Sequence, residues 1–154
     1  MALAELLRRN RSYRRFHQDQ PLDEQTLTGL VELTRLCASA ANRQPLKYLI
    51  SWEPQQNAAI FRHLRWAAAL APWPGPAEGE RPTGYVVILG DTRIANNFFI
   101  AQRFEILLVL ALGRPKETVV LEFDTSPDEV PYWRDADEVH HVPKRPLAEL
   151  LARF

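Results

Sequence analysis

The chain has 154 residues, 46% of them hydrophobic and 25% charged, and its 19 Lys+Arg are balanced by 19 Asp+Glu. That neutrality, with a pI near 6.9, excludes wholesale binding to nucleic acid or to an anionic membrane, both of which want a basic surface. One cysteine, Cys37, excludes an internal disulfide and fits a reducing compartment, and no apolar run approaches the roughly 20 residues that span a bilayer.

The length fits one domain, 1–154, that buries roughly 70% of its unfolded surface. An apolar patch at Ala2–Leu7 precedes the first arginines, the reverse of the order in a secretory signal, so a cytoplasmic protein is expected. Ala2 to Asn10 reads as a short helix with Leu3, Leu6 and Leu7 on one face. The segment Arg8 to Phe16 holds five arginines within eight residues of a neutral protein, which calls for a local anion. Guanidinium groups match phosphate oxygens with paired planar donors, and Ser12 adds a hydroxyl. A solvated basic surface is the plain alternative.

Asp23 is placed to cap a helix running to about Cys37, with Leu27, Leu30, Val31 and Leu33 at three-four spacing. Cys37 has no motif around it and reads as a core residue. Ala38 to Pro45 is small, then polar, then stopped by proline, which pushes Gln44 out of the helical region. Its small side chains let a flat ligand approach, and the carboxamides of Asn42 and Gln44 suit the edge of a heteroaromatic ring. Taken alone, the stretch is read more readily as an ordinary helix-to-strand connection.

Leu46 to Trp52 has strand character, and Pro54 opens a helix through about Leu70. A breaker-rich loop covers Trp73 to Pro82. Tyr85 to Leu89 reads as a strand buried on both faces. A short helix is expected over Arg93 to Arg103, a central strand over Phe104 to Leu112 and an edge strand over Val119 to Phe123. From Asp124 to Pro146 the chain is polar and irregular, with Tyr132 and Trp133 read as exposed aromatics of an arm packing on a second subunit. Leu147 to Leu151 forms a last helical turn. Strands alternating with helices give an α+β sheet flanked by helices, with an extended C-terminal arm.

Metal binding has little support: His17, His63, His140 and His141 stand at no ligand spacing, and the adjacent pair points to opposite sides of an extended strand. No glycine-rich phosphate loop and no acid/base pair in register occur, so catalysis would rest on a cofactor that carries the chemistry. Lys144-Arg145 forms a second basic cluster at the far end of the chain, and two cationic termini can clamp one phosphate if they fold together.

Four of these segments together resemble the nitroreductase family of flavoenzymes. They are Arg11-Ser12-Tyr13-Arg14-Arg15-Phe16, Ser39 to Pro45, Leu110 to Pro115, and Val142 to Leu147. The resemblance implies a homodimeric, nitroreductase-like mixed sheet with FMN at the interface. It also implies transfer of electrons from NAD(P)H to a nitroaromatic, quinone or similar small-molecule acceptor in a ping-pong cycle. By the same resemblance Arg11, Ser12, Arg14, Lys144 and Arg145 anchor the phosphate, while Ser39, Asn42 and Gln44 position the isoalloxazine ring, with no side chain acting as catalytic base. The chain is shortened against that pattern: 14 residues, Gly90 to Arg103, stand where the family has a helix, a strand and another helix. Two other readings stay open: a non-catalytic dimeric scaffold or ligand-binding module that has lost FMN, and arginines that hold a nucleotide or nucleic-acid phosphate.

Overall fold

The computed structural model describes residues 2–94, 104–123, 125–126 and 131–150. Helix α1 is Leu3–Arg9; it buries no side chain, and its three leucines all face solvent. After it the chain runs extended through Phe16, which is 3% exposed and bridges to Pro115. Backbone bonds fix this crossing: the Phe16 N–H donates to Glu80 O at 3.0 Å and the His17 N–H to Arg114 O at 2.8 Å. Gly113 permits the approach, because a Cβ there would sit 2.8 Å from the Phe16 ring.

Helix α2 (Glu24–Thr34) starts as the sequence indicates, with the Asp23 carboxylate accepting the Thr26 N–H at 2.8 Å. Leu27 is fully buried. Strand β1 (Leu46–Ser51) follows, then α3 (Pro54–Phe61) with proline in its first turn, where the missing N–H costs nothing. Buried Asn57 ties α3 to both neighbours: its carboxamide accepts from the Ser51 hydroxyl at 2.7 Å and donates to Thr83 O at 2.9 Å.

Strands β2 (Gly84–Asp91) and β3 (Phe104–Leu112) complete a first sheet in the order β1-β2-β3, antiparallel throughout, with a register irregularity at Ile88/Leu89. Strands β4 (Val119–Glu122), β5 (Trp133–Arg134) and β6 (His140–Pro143) form a mixed sheet in the order β4-β6-β5, with β4 parallel to β6 and β5 antiparallel to it. A last helix, α4, covers Leu147–Leu150. Among the described residues the buried apolar core is small: Phe16, Leu27, Tyr85 and Val86.

The structure corrects several expectations. The most apolar run, β3, is an edge strand rather than a central one, and Ile106, Leu108 and Leu110 are exposed on it. Strand β2 is the central one, buried at its start and only half-buried from Val87 to Leu89. The α3 helix ends at Phe61, and its alanine-rich continuation is interrupted by Ala67 in the left-handed region, leaving only a 3-10 turn at Ala68–Leu70. Cys37 lies past the end of α2 and is exposed. The stretch read as irregular contains β5 and β6, and Tyr132 is half-buried within its own chain. Most of the helix expected over Arg93 to Arg103 falls outside the described residues.

Candidate functional site

The extended segment after α1 lies beside the second sheet, and a cavity of about 210 Å³ opens between them. Arg11, Ser12, Arg14 and Lys144 line it together with Tyr132 and His140. The first and last basic clusters therefore meet, although 130 residues separate Arg14 from Lys144 (144 less 14). Lys144 is carried there by the end of β6, where its N–H donates to Glu122 O at 2.7 Å.

Arg14 is the most constrained cation of the group. Its guanidinium donates to Ser12 O at 2.9 Å, reaches His140 Nε2 at 3.2 Å and lies 4.6 Å over the Tyr132 ring. A guanidinium can only donate, so His140 Nε2 must be the acceptor and the imidazole neutral, with its proton on Nδ1. Burial holds the His140 pKa below its ordinary value, and the positive charge of Arg14 adds to that. The Arg14 backbone N–H donates to Glu117, whose buried carboxylate also takes Arg134 at 3.0 Å.

Charge accounting separates two sets of cations here. Arg15 forms a two-bonded pair with Glu80, at 2.6 and 2.7 Å, and also reaches Glu138. Lys116 joins Glu80 at 2.7 Å, and the two cations hold the Glu80 carboxyl down at about 2. Arg15, Lys116 and Arg134 are thus spoken for. Among the described residues, no carboxylate forms an ion pair with Arg11, Arg14 or Lys144. The Arg11 Nε–H is buried and without a partner there. Three cations without a carboxylate partner among the described residues, and a serine, around one cavity have the chemistry to take up a phosphate or similar dianion.

Arg145 is exposed and does not line the cavity. Nor do Ser39, Asn42 and Gln44, which form a self-contained loop elsewhere. There the Gln44 N–H donates to Ser39 Oγ at 3.0 Å and Gln44 Nε2 to Asn42 Oδ1 at 2.9 Å. Pro45 does exclude Gln44 from the right-handed helical region, but into left-handed backbone (φ 47) rather than extended. Ala41 and Asn42 share that conformation, with φ of 50 and 52. Gln44 shares a shallow cleft with the exposed Leu33 and Leu36 at the end of α2.

Sequence reasoning missed Glu117, Tyr132 and His140 as parts of the site. Only His140 had a usable signal: in the extended run His140 to Pro143 one histidine must face inward, and it is the buried one. His141 points the other way, stacked on Trp133 at 4.0 Å between Glu122 (2.7 Å) and Asp135 (3.0 Å). Hydrogen bonding to Asp135, reinforced by Glu122, raises its pKa.

No protein-family model and no curated protein matches the sequence. Solved structures do. A nitroreductase family protein from Clostridium difficile superposes with a TM-score of 0.58 over 99% of this chain and 98% of its own, at 14% identity. Two others are a protein from Parabacteroides distasonis described as an NADH dehydrogenase/NAD(P)H nitroreductase and one from Exiguobacterium sibiricum described as a nitroreductase in complex with FMN. Each gives a TM-score of 0.46, at 18% and 20% identity, over 63% and 62% of this chain. The chain spans 52% and 42% of those two proteins. It has a nitroreductase-like α+β fold, and among the described residues no helix is long and apolar enough to cross a membrane.

Proposed function

We propose that the cavity between the N-terminal arginines and β6 holds the phosphate of FMN, and that the chain is an FMN-dependent oxidoreductase. The observation that carries this reading is the trio Arg11, Arg14 and Lys144, converging, with no carboxylate partner among the described residues, on a cavity that Ser12 also lines. About 210 Å³ fits the phosphate end of the cofactor, not its ring. Arg11 and Arg14 bind the phosphate, Ser12 and Lys144 add donors, and the neutral His140 with the Tyr132 face keeps the Arg14 fork in place. Arg145, one residue on, is exposed and does not line the cavity; its part in holding the phosphate is the weakest of the set.

Bound FMN supplies the electron carrier between NAD(P)H and a nitroaromatic, quinone or similar acceptor, in a ping-pong cycle. The ring is positioned by Ser39, Asn42 and Gln44 of a second copy of the chain. Two features support a homodimer: leucines exposed on α1 and α2, and Leu108 and Leu110, exposed on one face of β3. Three consecutive-region residues held at positive φ in the ring loop are backbone strain of the sort found at ligand clamps. The unpaired Cys37 is compatible with a cytoplasmic setting.

One observation favours a second reading, a dimeric scaffold without flavin: Gln44 spends its carboxamide donor on Asn42 of its own loop. Purification separates the two. A flavoprotein elutes yellow, with an absorption band at about 450 nm that bleaches on anaerobic addition of NADH or NADPH. Colourless protein that retains no such band after incubation with FMN and removal of unbound flavin overturns the oxidoreductase reading in favour of the scaffold.

A further inference from the structure

Two adjacent histidines of β6 face opposite sides of the second sheet, and their hydrogen bonds demand opposite protonation states. His140, on the inner side, lines the arginine–lysine cavity and accepts from Arg14, so it is neutral. His141, on the outer side, meets a carboxylate at each ring nitrogen: Glu122 at Nδ1 (2.7 Å) and Asp135 at Nε2 (3.0 Å). An ionised carboxylate accepts and cannot donate, and a neutral imidazole has one N–H. Both contacts therefore form together only when His141 is the imidazolium.

The place of this ring in the sheet gives its protonation a consequence. Strand β6 is the middle strand; Glu122 ends β4 on one side of it, and Asp135 follows β5 on the other. Strand β5 is two residues long, so few backbone bonds hold it and side chains must supply the rest. Its Trp133 indole lies flat on His141, at 4.0 Å with 6° between the planes. Asp135 also closes the turn back to β6, accepting the N–H groups of Asp137 (3.0 Å) and Val139 (2.9 Å). The same short strand builds the cavity. Tyr132, just before it, supplies the ring against the Arg14 guanidinium, and Arg134 binds Glu117, the carboxylate that takes the Arg14 N–H. Asp137 and Glu138 of the turn are exposed, and Glu138 is held by Arg15 and Arg134. The charged groups that face His141 are thus Glu122 from β4 and Asp135 from the β5 turn, with His140 on the other face of its own strand.

We infer that protonated His141 is a latch that docks β5 on β6, and that its deprotonation frees Tyr132 from Arg14 and weakens phosphate binding in the cavity. The ligand rests on the flavin-phosphate reading, whereas the latch is a property of the bare chain. Hydrogen bonding to Asp135, reinforced by Glu122, raises the His141 pKa, so docking is complete below 6.5 and is lost as pH rises through the raised value. Apparent affinity then falls with the fraction of chains in which β5 is docked. A phosphate monoester, with a second pKa of about 6, is already a dianion in that range and does not itself titrate there.

The test measures FMN and riboflavin affinity of the full chain from about pH 7 to about pH 9, with NMR of the ligand-free protein over the same range. The preference for FMN over riboflavin should fall about three- to tenfold. His141→Arg keeps a planar cation for both carboxylates and for the indole, so its preference should stay high and flat. His141→Gln carries no charge, so its preference should be low and flat. Without ligand, carbon resonances of the Tyr132 ring and the Arg14 side chain should follow the His141 midpoint, and in His141→Arg they should not move. If FMN shows no preference over riboflavin at pH 7, the flavin reading fails, and ligand-free resonances that still follow His141 uphold the latch. The inference is overturned if those resonances ignore the His141 midpoint, or if an FMN preference is present and either stays flat or falls equally in the native chain and His141→Arg.

Discussion

Glu80 sits where three parts of the chain meet, and its removal gives the sharpest stability test. Its backbone carbonyl accepts from Phe16, and its carboxylate takes Arg15 through two bonds and Lys116 through one. Those cations lower its pKa from 4.5 to about 2. At 1.36 kcal/mol per pH unit, that lowering sets a ceiling of about 3.4 kcal/mol. Lys116 is 41% exposed and the cluster is reached by water, so screening cuts the contribution to about 1–2 kcal/mol. A carboxylate with a depressed pKa stabilises the fold above its unfolded value and loses that contribution as pH falls through its folded value. Glu80→Gln should therefore cost about 1–2 kcal/mol in urea denaturation at pH 7, and by about pH 3 more than half of that cost should be gone. A penalty equal at both pH values would show that Glu80 acts by packing, and would refute the charge argument.

The adjacent histidines should titrate on opposite sides of 6.5, His140 below it and His141 above, which NMR resolves residue by residue. The linkage signs differ accordingly. His140 favours folding above 6.5 and ceases to as pH falls, whereas the His141 contribution is complete below 6.5 and disappears as pH rises through its raised value. Gly113→Ala should destabilise by about 1–3 kcal/mol in chemical denaturation, because a Cβ 2.8 Å from the buried Phe16 ring forces one of them to move; an unchanged midpoint would mean that the crossing is loose. Leu108→Glu, on the exposed face of β3 that Leu110 shares, should convert a dimer to a monomer in sedimentation while leaving the fold intact. A variant that sediments like the native chain removes β3 from the proposed interface.

What could be read from the residues alone followed from local physics. Asp23 caps α2 because its carboxylate reaches an N–H three residues on, and Pro54 opens α3 because an N–H is dispensable there. The meeting of Arg14 with Lys144 was legible as two islands of positive charge in a neutral chain. Strand β3 misled for a physical reason: a leucine-rich run, Phe104–Leu112, signals burial, but its place at the edge of a three-stranded sheet leaves Ile106, Leu108 and Leu110 exposed. Strands β5 and β6 were invisible because pairing makes them: β6 pairs in parallel with β4, about 20 residues earlier, and β5 is two residues long. The roles of Glu117 and Tyr132 likewise depend on which groups the fold brings to Arg14, and no spacing encodes that.

The proposal that the two termini together grip a cofactor phosphate is tested most directly by titrating FMN and riboflavin, which differ by that phosphate alone, into the native chain and into Arg14→Ala. FMN should bind the native chain about 10–100-fold more tightly than riboflavin, and Arg14→Ala should close most of that gap while leaving riboflavin affinity unchanged. Equal affinities for the two flavins, or a gap that survives both Arg14→Ala and Lys144→Ala, would contradict it.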